Sequence, residues 1–385
     1  MIDSLHIQNF KCLRDVKIDF APLTVLIGAN DSGKTSVLEA LELLGKTAVA
    51  ARADTLETFK YLSYRLGSAA PIWEVGARAG DEKFIYRLAA GRFHFDQLET
   101  KSVGFPGNAE RIILVNTPLN QTQVRLANGT VTNMRFPIGL SRLGSTTLDQ
   151  GIEESFRLYR QSLTTSTRYS LEPHALRRNA VVAANATLSP SGDNLAAVLD
   201  RLISGPDRSA VGELEAVLRR EIPTLSGLAN PPAPGGAQGE KTIEFVLAGK
   251  PQIRIPCALA SDGAMLLTAY LCLVYGETDE ILLIEEPENG IHPARLKTII
   301  DFLRKITTGE IGPRPRQVIL TTHSPLLLNY AKPEEVRIVQ RDAEKGTFVN
   351  RLDKVPNVDE LLQEFGVGEL WYLLGEKALV EGQKP

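Results

Sequence analysis

Cysteine is scarce in this sequence, and its few copies are poorly placed for cross-linking. The 385 residues include three cysteines, Cys12, Cys257 and Cys272, which stand far apart in apolar surroundings. The odd number and the wide spacing indicate neither a disulfide framework nor a zinc cluster. We expect reduced packing residues instead, because free cysteine behaves as a small hydrophobic side chain.

Long apolar runs and a strong charge bias are also missing. No segment approaches the roughly 18 consecutive apolar residues of a membrane span, and the opening MIDSLHIQNFKCLRD lacks the apolar stretch of a secretory signal. A cytoplasmic protein without a membrane partner is therefore expected. The formal net charge of -3 gives no overall sign of nucleic-acid binding, although local basic patches remain open. With 43% hydrophobic residues, the chain can bury a substantial core, as one large domain or as a core with an inserted lobe.

A phosphate-binding motif follows the third predicted strand. Alternation over residues 4–20 predicts two short strands, and LTVLI at 23–27 predicts a buried one. GANDSGKT comes next, with Gly28, Gly33 and Lys34 at phosphate-loop spacing, and an amphipathic helix follows it. The alternative is a glycine turn that only caps the helix, but such a turn would not need a Lys-Thr pair at this position.

The residue types of this loop suit a bound triphosphate. Glycines let backbone N–H groups wrap a phosphate, and the helix N-terminus adds partial positive charge. Lys34 is placed to reach the terminal phosphates, and the Thr35 hydroxyl is placed to bind Mg²⁺. The residues expected to contact ATP in this loop are Asn30, Asp31, Ser32, Gly33, Lys34, Thr35 and Ser36.

Two adjacent carboxylates end another predicted strand. ILLIEEPENGIHP at 281–293 runs four aliphatic side chains into Glu285 and Glu286. Burying an unpaired carboxylate is costly, so a metal, a cation or a reacting water is expected to meet these acids. In phosphate-loop NTPases such an acid holds Mg²⁺ and a further polar group orients the attacking water. Glu285 is therefore expected to take the metal role, directly or through water, and Glu286 that of the general base. The alternative is a strand end whose acids cap a helix or meet surface lysines; Pro293 predicts the start of the next helix.

Two further segments supply polar groups at element ends. QVILTTHSP at 317–325 predicts a strand that ends in His323, placed to contact the terminal phosphate or the water. Taken alone, a strand-end histidine more often has a structural role. Ser261, Asp262 and Gly263 precede an apolar helix, where Ser261 is a natural N-cap and the exposed amides form a second anion site.

The order of these segments resembles that of the ABC-type ATPases of the RecF-like and SMC-like branch. The resemblance is closest to the ATPase domain of the OLD (overcoming lysogenization defect) family, to which NFKCL and SGDNLAAVL are also similar. It implies an α/β phosphate-loop NTPase head with a mixed central sheet flanked by helices. It also implies an N-terminal antiparallel β subdomain and a partly helical inserted arm or lobe. ATP and Mg²⁺ are the implied ligands, and a head-to-tail homodimer or higher homo-oligomer is the implied assembly.

The resemblance also assigns roles to particular residues. Ser261, Asp262 and Gly263 would form the signature motif, which reaches across the dimer to the γ-phosphate held by the partner. His323 would be the switch histidine, and residues 288–293 the D-loop region. Asp262 replaces the first glycine of the common LSGGQ form, and its charge must point away from the triphosphate or meet another group.

The predicted domains are residues 1–130 and 246–385, which form the two halves of the head, and an inserted lobe at 131–245. The insertion is too short and irregular for the long coiled coil of SMC proteins. NPPAPGGAQGE at 230–240 predicts a flexible connection or a loop tip. The glutamine that contacts metal in ABC ATPases is expected between residues 80 and 170, with Gln121 and Gln123 both open.

An arginine-rich segment is the predicted contact surface for DNA or a partner. Residues 125–178 contain eight arginines against four acidic residues. Arginine favours phosphate groups, which it binds through its forked guanidinium. The alternative is a solvated helical face with internal ion pairs. The arginines are Arg125, Arg135, Arg142, Arg157, Arg160, Arg168, Arg177 and Arg178.

GEKALVEGQKP, the last stretch, resembles the entrance to the Toprim nuclease domain of OLD proteins. There an LVEG strand carries an acidic catalytic residue, which corresponds to Glu381. A Toprim centre needs further carboxylates for its metal ions, and no Asp-x-Asp pair follows. Nuclease activity is therefore not expected of this chain, whether it is truncated before a Toprim domain or is a stand-alone ATPase.

The expected function is ATP hydrolysis coupled to dimer geometry in a DNA transaction. Resemblance implies repair, or defence against phage with a nuclease or other effector partner. The competing hypothesis is a nucleotide-sensing scaffold that assembles a toxin or nuclease with little ATP turnover. A transporter subunit is disfavoured, since those heads normally carry LSGGQ and lack the NFK opening.

Overall fold

In a computed structural model of the chain, the residues described are 1–49, 71–79, 82–89, 95–102, 111–113, 122–125, 131–134, 161–163, 165–205, 209–276, 279–342, 344 and 346–372. The helices α1 to α8 are Lys34–Val49, Pro173–Leu176, Leu195–Ser204, Ser209–Glu221, Asp262–Gly276, Leu296–Thr308, Pro325–Leu328 and Val358–Glu364. The strands β1 to β10 are Ile2–Phe10, Leu13–Asp19, Leu23–Ile27, Ile72–Ala79, Glu82–Ala89, Phe95–Ser102, Arg111–Ile113, Thr122–Arg125, Val131–Met134 and Thr165–Tyr169. The strands β11 to β19 are Ala180–Val181, Leu225–Ala229, Glu240–Lys241, Glu244–Leu247, Arg254–Pro256, Ile281–Glu285, Gln317–Thr322, Val336–Asp342 and Gly346–Arg351.

The chain divides into two compact units. The first comprises Met1–Ser166, Asp279–Leu283 and Ile319–Pro385, and the second comprises Thr167–Thr278 and Ile284–Val318. The three-part division of the sequence into two half-heads and an insertion stays a prediction.

An antiparallel sheet opens the first unit. Its strand order is β2-β1-β4-β5-β6-β7, and β1 pairs with β2 in a register that sets Leu5 opposite Ile18 and Ile7 opposite Val16. These four side chains are buried, because alternate residues of a strand face the same side of the sheet. The antiparallel β subdomain predicted at the N-terminus is thus confirmed.

Helix α1 provides much of the core of the first unit. Val37, Leu38 and Leu41 are fully buried in one cluster with side chains from β1, β2 and β4. Trp73 of β4 joins the helix to the sheet, since its Nε1–H donates to the Ala40 carbonyl at 3.1 Å. Burying each such aliphatic side chain stabilises the fold by about 1.5–3 kcal/mol, so the start of α1 is held firmly in place.

The second sheet is mixed and contains the predicted buried strands. Its order is β10-β16-β17-β3-β18-β19, with β3 parallel to β18 and β18 antiparallel to β19. Every residue of β3 and β17 is buried, the pattern of strands covered on both faces. The α/β class with a mixed central sheet is therefore confirmed.

Helix α5 of the second unit is mostly buried. Eleven of its residues are buried, as expected for a helix that is apolar on all sides. The three-stranded sheet β12-β14-β15 belongs to the same unit. Within the described parts of the chain, no helix combines the length and apolar composition that a bilayer crossing requires.

Candidate nucleotide-binding site

The loop between β3 and α1 is shaped by two glycines that no other residue could replace without strain. A Cβ on Gly28 would lie 2.1 Å from the Val339 carbonyl oxygen of β18. Gly33 has a φ of +111°, and a Cβ there would meet the Thr347 hydroxyl at 2.9 Å. The chain needs glycine at position 28 because the loop passes directly against neighbouring backbone, and at position 33 because φ there is positive.

Strands β18 and β19 fix the outer side of this loop. The buried Thr347 hydroxyl donates to the Ser32 carbonyl at 2.8 Å, and Arg341 Nη1 donates to the Asp31 carbonyl at 3.2 Å. Asp31 has a φ of +63°, a conformation that non-glycine residues adopt at a cost of about 1–3 kcal/mol. Contacts from two strands hold this conformation, so the shape of the loop is fixed by hydrogen bonds within the protein.

Lys34 and His323 lie together at the mouth of the loop. The Lys34 ammonium donates to the Gly28 and Ala29 carbonyls at 2.7 Å each, and the residue is only 4% exposed. His323 Nδ1 lies 3.5 Å from Lys34 Nζ. Lys34, which is predicted to reach the terminal phosphates, therefore lies beside His323, the predicted switch histidine.

A cavity of about 580 Å³ opens over the loop and α1. Three basic side chains, Lys11, Lys34 and Arg341, face it against one acidic side chain, Asp31. Such a balance suits a polyphosphate, and backbone amides at the start of a long helix add to it. The lining residues are Lys11, Cys12, Asn30, Asp31, Gly33, Lys34, Thr35, Ser36, His323 and Arg341.

Of the loop residues expected to contact ATP, Ser32 is the exception in this lining. Its hydroxyl is buried and makes no hydrogen bond among the described residues. The Ser32 N–H donates to the Ala29 carbonyl at 3.3 Å, so the contact of Ser32 with ATP stays a prediction, while the other six expected residues line the cavity.

Sequence reasoning missed three lining residues. Lys11 and Cys12 occupy the turn between β1 and β2, where Lys11 forms an ion pair with Glu39 of α1. The Cys12 thiol donates to the Ser36 hydroxyl at 3.3 Å, so it is more than the packing residue that we expected. The NFKCL segment was the available signal for these two, whereas nothing in the sequence pointed to Arg341.

All three cysteines are free thiols. Cys257 and Cys272 are buried, which confirms the packing role predicted for them. Cys12 is half-buried at the cavity instead.

The two adjacent carboxylates lie in the second unit, where each has a partner. Glu285 ends β16, and its Oε1 lies 3.4 Å from Arg168 Nη1 on β10. Glu286 has a φ of +44°, and its Oε2 accepts a hydrogen bond from Asn289 Nδ2 at 2.9 Å. A cation thus meets Glu285, as the cost of burying acids predicts, and Asn289 fixes the direction of the Glu286 carboxylate.

The loop before α5 also belongs to the second unit. The Ser261 hydroxyl accepts from the Ala264 N–H at 3.3 Å, which confirms Ser261 as the N-cap. Asp262 Oδ1 lies 2.7 Å from Arg177 Nη2. The charge of Asp262 therefore does meet another group, an arginine of its own chain.

The predicted signature loop and the predicted D-loop region line one small cavity of about 280 Å³ within the second unit. His292, one of the lining residues, accepts a hydrogen bond through Nδ1 from the Ala294 N–H at 3.2 Å, a capping role at the turn before α6. The lining residues are Glu221, Ile222, Ser261, Asp262, Gly263, Ala264, Leu267, Gly290, Ile291, His292, Arg295, Thr298 and Ile299.

Buried Tyr270 of α5 lies close to Glu288 of the predicted D-loop region. Burial raises the pKa of its hydroxyl, and the Glu288 carboxylate raises this pKa further. The Tyr270 hydroxyl therefore stays neutral at physiological pH and can serve only as a hydrogen-bonding group.

Several predicted residues lie outside the described part of the chain. These are Gln121, Glu381, Arg135, Arg142, Arg157 and Arg160. For Gln123 and Arg125 on β8, the backbone alone is described.

Two arginines of the predicted DNA surface have other partners. Arg168 pairs with Glu285, and Arg177 pairs with Asp262 and is only 20% exposed. Arg178 is 60% exposed and has a weaker contact, 3.8 Å to Asp193. Among the described arginine side chains of this segment, Arg178 alone suits an open surface, so DNA contact by the segment stays a prediction.

Comparisons with known proteins match both regions that carry the motifs. Residues 1–74 match a family described as "AAA ATPase domain". Residues 253–329 match a family described as "AAA domain, putative AbiEii toxin, Type IV TA system". The first match contains the phosphate loop, and the second contains the predicted signature loop, the acidic strand end and His323.

Two curated relatives match over short stretches. A stretch of 44 residues is 41% identical to the OLD nuclease of Thermus scotoductus and covers 11% of this chain and 8% of that protein. A stretch of 42 residues is 55% identical to the DNA replication and repair protein RecF of a Synechococcus species and covers 11% of each. The matched stretches thus span only about a tenth of these relatives.

The fold has a counterpart of nearly the same extent. An SMC head domain, solved bound to the C-winged helix domain of ScpA, is 15% identical, with a TM-score of 0.52. The match covers 91% of this chain and 97% of that chain. At this identity the likeness concerns the fold alone. Through family matches on both motif regions and a common head fold, this chain resembles the ABC-type ATPases of the OLD, RecF and SMC branch.

Proposed function

We propose that this protein binds Mg-ATP, pairs head to tail with a second copy, and hydrolyses ATP to control the geometry of that pair. The observation that carries the proposal is the cavity over the phosphate loop. It brings Lys34 and His323 within 3.5 Å of each other and adds Arg341. The donors in this cavity are those that a triphosphate needs, and the glycine-shaped loop leaves its amides close to them.

The roles of the individual residues follow from their chemistry. Lys34 neutralises the terminal phosphates, and the Thr35 hydroxyl and the Glu285 carboxylate would hold Mg²⁺, a hard cation that prefers oxygen ligands. Bound Mg²⁺ would supply charge neutralisation for the phosphate oxygens. Glu286 accepts the proton of the attacking water, in a direction set by Asn289, and His323 contacts the terminal phosphate.

The partner subunit completes each site through its signature loop. Ser261 and Gly263 would contact the γ-phosphate held by the other copy, a role that the Ser261 cap and the helix N-terminus support. Asp262 does not oppose this contact, because Arg177 neutralises its charge. Hydrolysis removes the shared γ-phosphate and so favours the open state, which is how a ligand with different affinity for two states shifts their populations.

The biological setting that we propose is a DNA transaction. A relative is named for DNA replication and repair, another is named a nuclease, and one matching family is described as a toxin. The SMC head with a similar fold was solved bound to a domain of another protein. These names support a role in a DNA transaction, either repair or antiphage defence. An effector protein would supply nuclease or toxin activity.

The test of the enzymatic proposal is the Glu286→Gln variant. Removing a general base slows a reaction by about 10²–10⁴-fold, so ATP turnover should fall at least a hundredfold. Nucleotide affinity, measured by equilibrium binding, should stay close to that of the wild type, since Lys34 and the loop are untouched. Glu310→Gln, a change at an exposed acid of the same unit, is the matched control and should leave turnover unchanged.

Equal turnover in Glu286→Gln and wild type would contradict the base assignment. Wild-type protein that binds ATP tightly but turns it over negligibly would favour the nucleotide-sensing scaffold instead.

A further inference from the structure

A short segment of the second unit contacts three parts of the proposed ATPase machinery. It runs from Arg168 on β10 through the short helix α2 to Arg177. Its contacts reach the acidic strand end, the D-loop region and the signature loop. The sequence indicated that Glu285 meets a metal, a cation or a water, but it did not identify Arg168 or Arg177 as partners of the two acids.

Arg177 is the main contact with the signature loop. Its Nη2 donates to the Ala260 carbonyl and to Asp262 Oδ1, both at 2.7 Å. Its Nε donates to the Cys257 carbonyl at 3.1 Å, and its Nη1 donates to the Pro173 carbonyl at 2.6 Å. One planar guanidinium therefore fixes the loop before α5 to α2, through a fork that lysine cannot reproduce.

Pro173, at the start of α2, lies against the D-loop region. Gly290 has a φ of +76°, and a Cβ there would meet Pro173 Cγ at 2.5 Å. The ring of Pro173 thus occupies the space beside Gly290. A displacement of the D-loop region would press directly on α2, to which Arg177 is bound.

Arg168, at the other end of the segment, contacts the acidic strand end. Its Nη1 lies 3.4 Å from Glu285 Oε1, and both side chains are mostly buried, at 25% and 19% exposure. A change at the Glu285 carboxylate therefore acts directly on Arg168 of β10, the strand that leads into α2.

We infer that residues 168–177 form a strut that couples Glu285 to the signature loop. The inference rests on the proposed function, in which Glu285 serves the ATP of its own protomer and the signature loop serves the ATP of the partner. The strut would then make the state of one ATP site depend on that of the other. Arg177 and Arg168 are positioning residues in this account, since they act through the signature loop and through Glu285.

The first test measures how ATP turnover depends on protein concentration in the Arg177→Lys variant. If Arg177 sets the signature loop for the partner, the variant pairs less readily. The protein concentration that gives half-maximal specific activity should then rise about tenfold, the effect of losing roughly one charge-assisted hydrogen bond. ATP binding to the dilute protomer should stay within about twofold of wild type, because the phosphate loop is intact. Arg178→Lys is the matched control, adjacent and exposed, and should behave as wild type.

Asp262→Asn provides a second variant should Arg177→Lys fold poorly. It removes the ion pair but keeps the Arg177 contacts with Cys257 and Ala260. A smaller rise of about threefold in the same concentration is expected, since one contact of the set is weakened rather than lost. Specific activity that falls equally at all protein concentrations, or no change in either variant, would overturn the inference.

The second test is a double-mutant cycle between the two ends of the strut. Arg168→Gln alone should lower turnover about threefold, through the loss of one partly buried ion pair. Because the two ends act through one element, the double variant with Arg177→Lys should be no worse than Arg177→Lys alone within about twofold. Multiplied effects would mean that the two ends act independently, which contradicts coupling. Wild-type protein without turnover would instead refute the proposed function, so the two failures are distinguishable.

Discussion

At the scale of single residues, the shape of the phosphate loop depends on the absence of a side chain at Gly28. Gly28 has no room for a methyl group, because the Val339 carbonyl of the neighbouring strand would lie 2.1 Å from it. The loop must shift by most of an ångström to accept one. Such a shift moves every amide that the site would offer to a phosphate.

Gly28→Ala should therefore weaken both fold and binding. We expect a loss of about 1–3 kcal/mol in the free energy of unfolding, the usual cost of overpacking. ATP affinity should fall at least about tenfold, as expected when the loop amides lose about 1.4 kcal/mol of binding free energy. Chemical denaturation and equilibrium nucleotide binding are the measurements.

Gly212→Ala is the matched glycine control. Gly212 is exposed in helix α4, and a Cβ there would meet nothing within 4 Å. This change should stabilise the protein by about 0.5–1 kcal/mol, because alanine loses less backbone entropy in a helix. Nucleotide affinity should not change. Wild-type ATP affinity in Gly28→Ala would show that the loop is not held as described.

The sequence was informative about residues whose role is local. Gly28, Lys34 and Thr35 form a motif because their spacing along one turn is itself the site. Partners distant in the chain, such as Arg177 for Asp262, could not be predicted. The sequence predicted only that Asp262 points away from the triphosphate or meets another group, since the identity of that group depends on how strands and helices pack.

At the scale of elements, helix α5 shows how an apolar helix is oriented at its two ends. Ser261 caps its N-terminus. At its C-terminus, Arg316 Nη2 donates to the Val274 carbonyl at 2.6 Å and Nη1 donates to the Leu273 carbonyl at 3.3 Å. The last carbonyls of a helix lack partners within the helix, so a buried arginine satisfies them and complements the helix dipole.

Arg316→Gln should destabilise the second unit. Arg316 is only 3% exposed, and its loss leaves buried carbonyls without their charged donor, at a cost of about 3 kcal/mol. Hydrogen exchange of the α5 amides under increasing urea measures this change locally. Arg254→Gln is the control, since Arg254 is 58% exposed in its ion pair with Glu244 and should matter by less than about 1 kcal/mol. Equal protection of α5 in both variants would contradict the capping role.

The sequence predicted elements better than it predicted their neighbours. LTVLI, ILLIE and QVILTT were read as strands and are strands, because continuous apolar runs of that length suit a sheet covered on both faces. Pro293 was read as a helix start, and it begins a 3-10 turn directly ahead of α6. The strand order of the mixed sheet was not predicted, since pairing between distant segments leaves no periodic signal in the chain.

At the scale of the whole molecule, the proposed function leaves one protomer incomplete as an ATPase. Its phosphate loop can bind a nucleotide, but the signature loop is proposed to act on the nucleotide of another copy. Arg177 makes this arrangement electrostatically acceptable, because it neutralises Asp262, the acid of the predicted signature motif. The affinity of two copies for each other should therefore depend on Mg-ATP.

The most direct measurement of this central claim is sedimentation velocity of Glu286→Gln with and without Mg-ATP. The variant keeps the γ-phosphate intact, so the account predicts a monomer without nucleotide and a stable dimer with it. Adding Lys34→Ala to the same variant should abolish the dimer, since the loop then lacks its phosphate-binding ammonium. A Glu286→Gln protein that binds Mg-ATP and still sediments as a monomer at all concentrations would contradict the account.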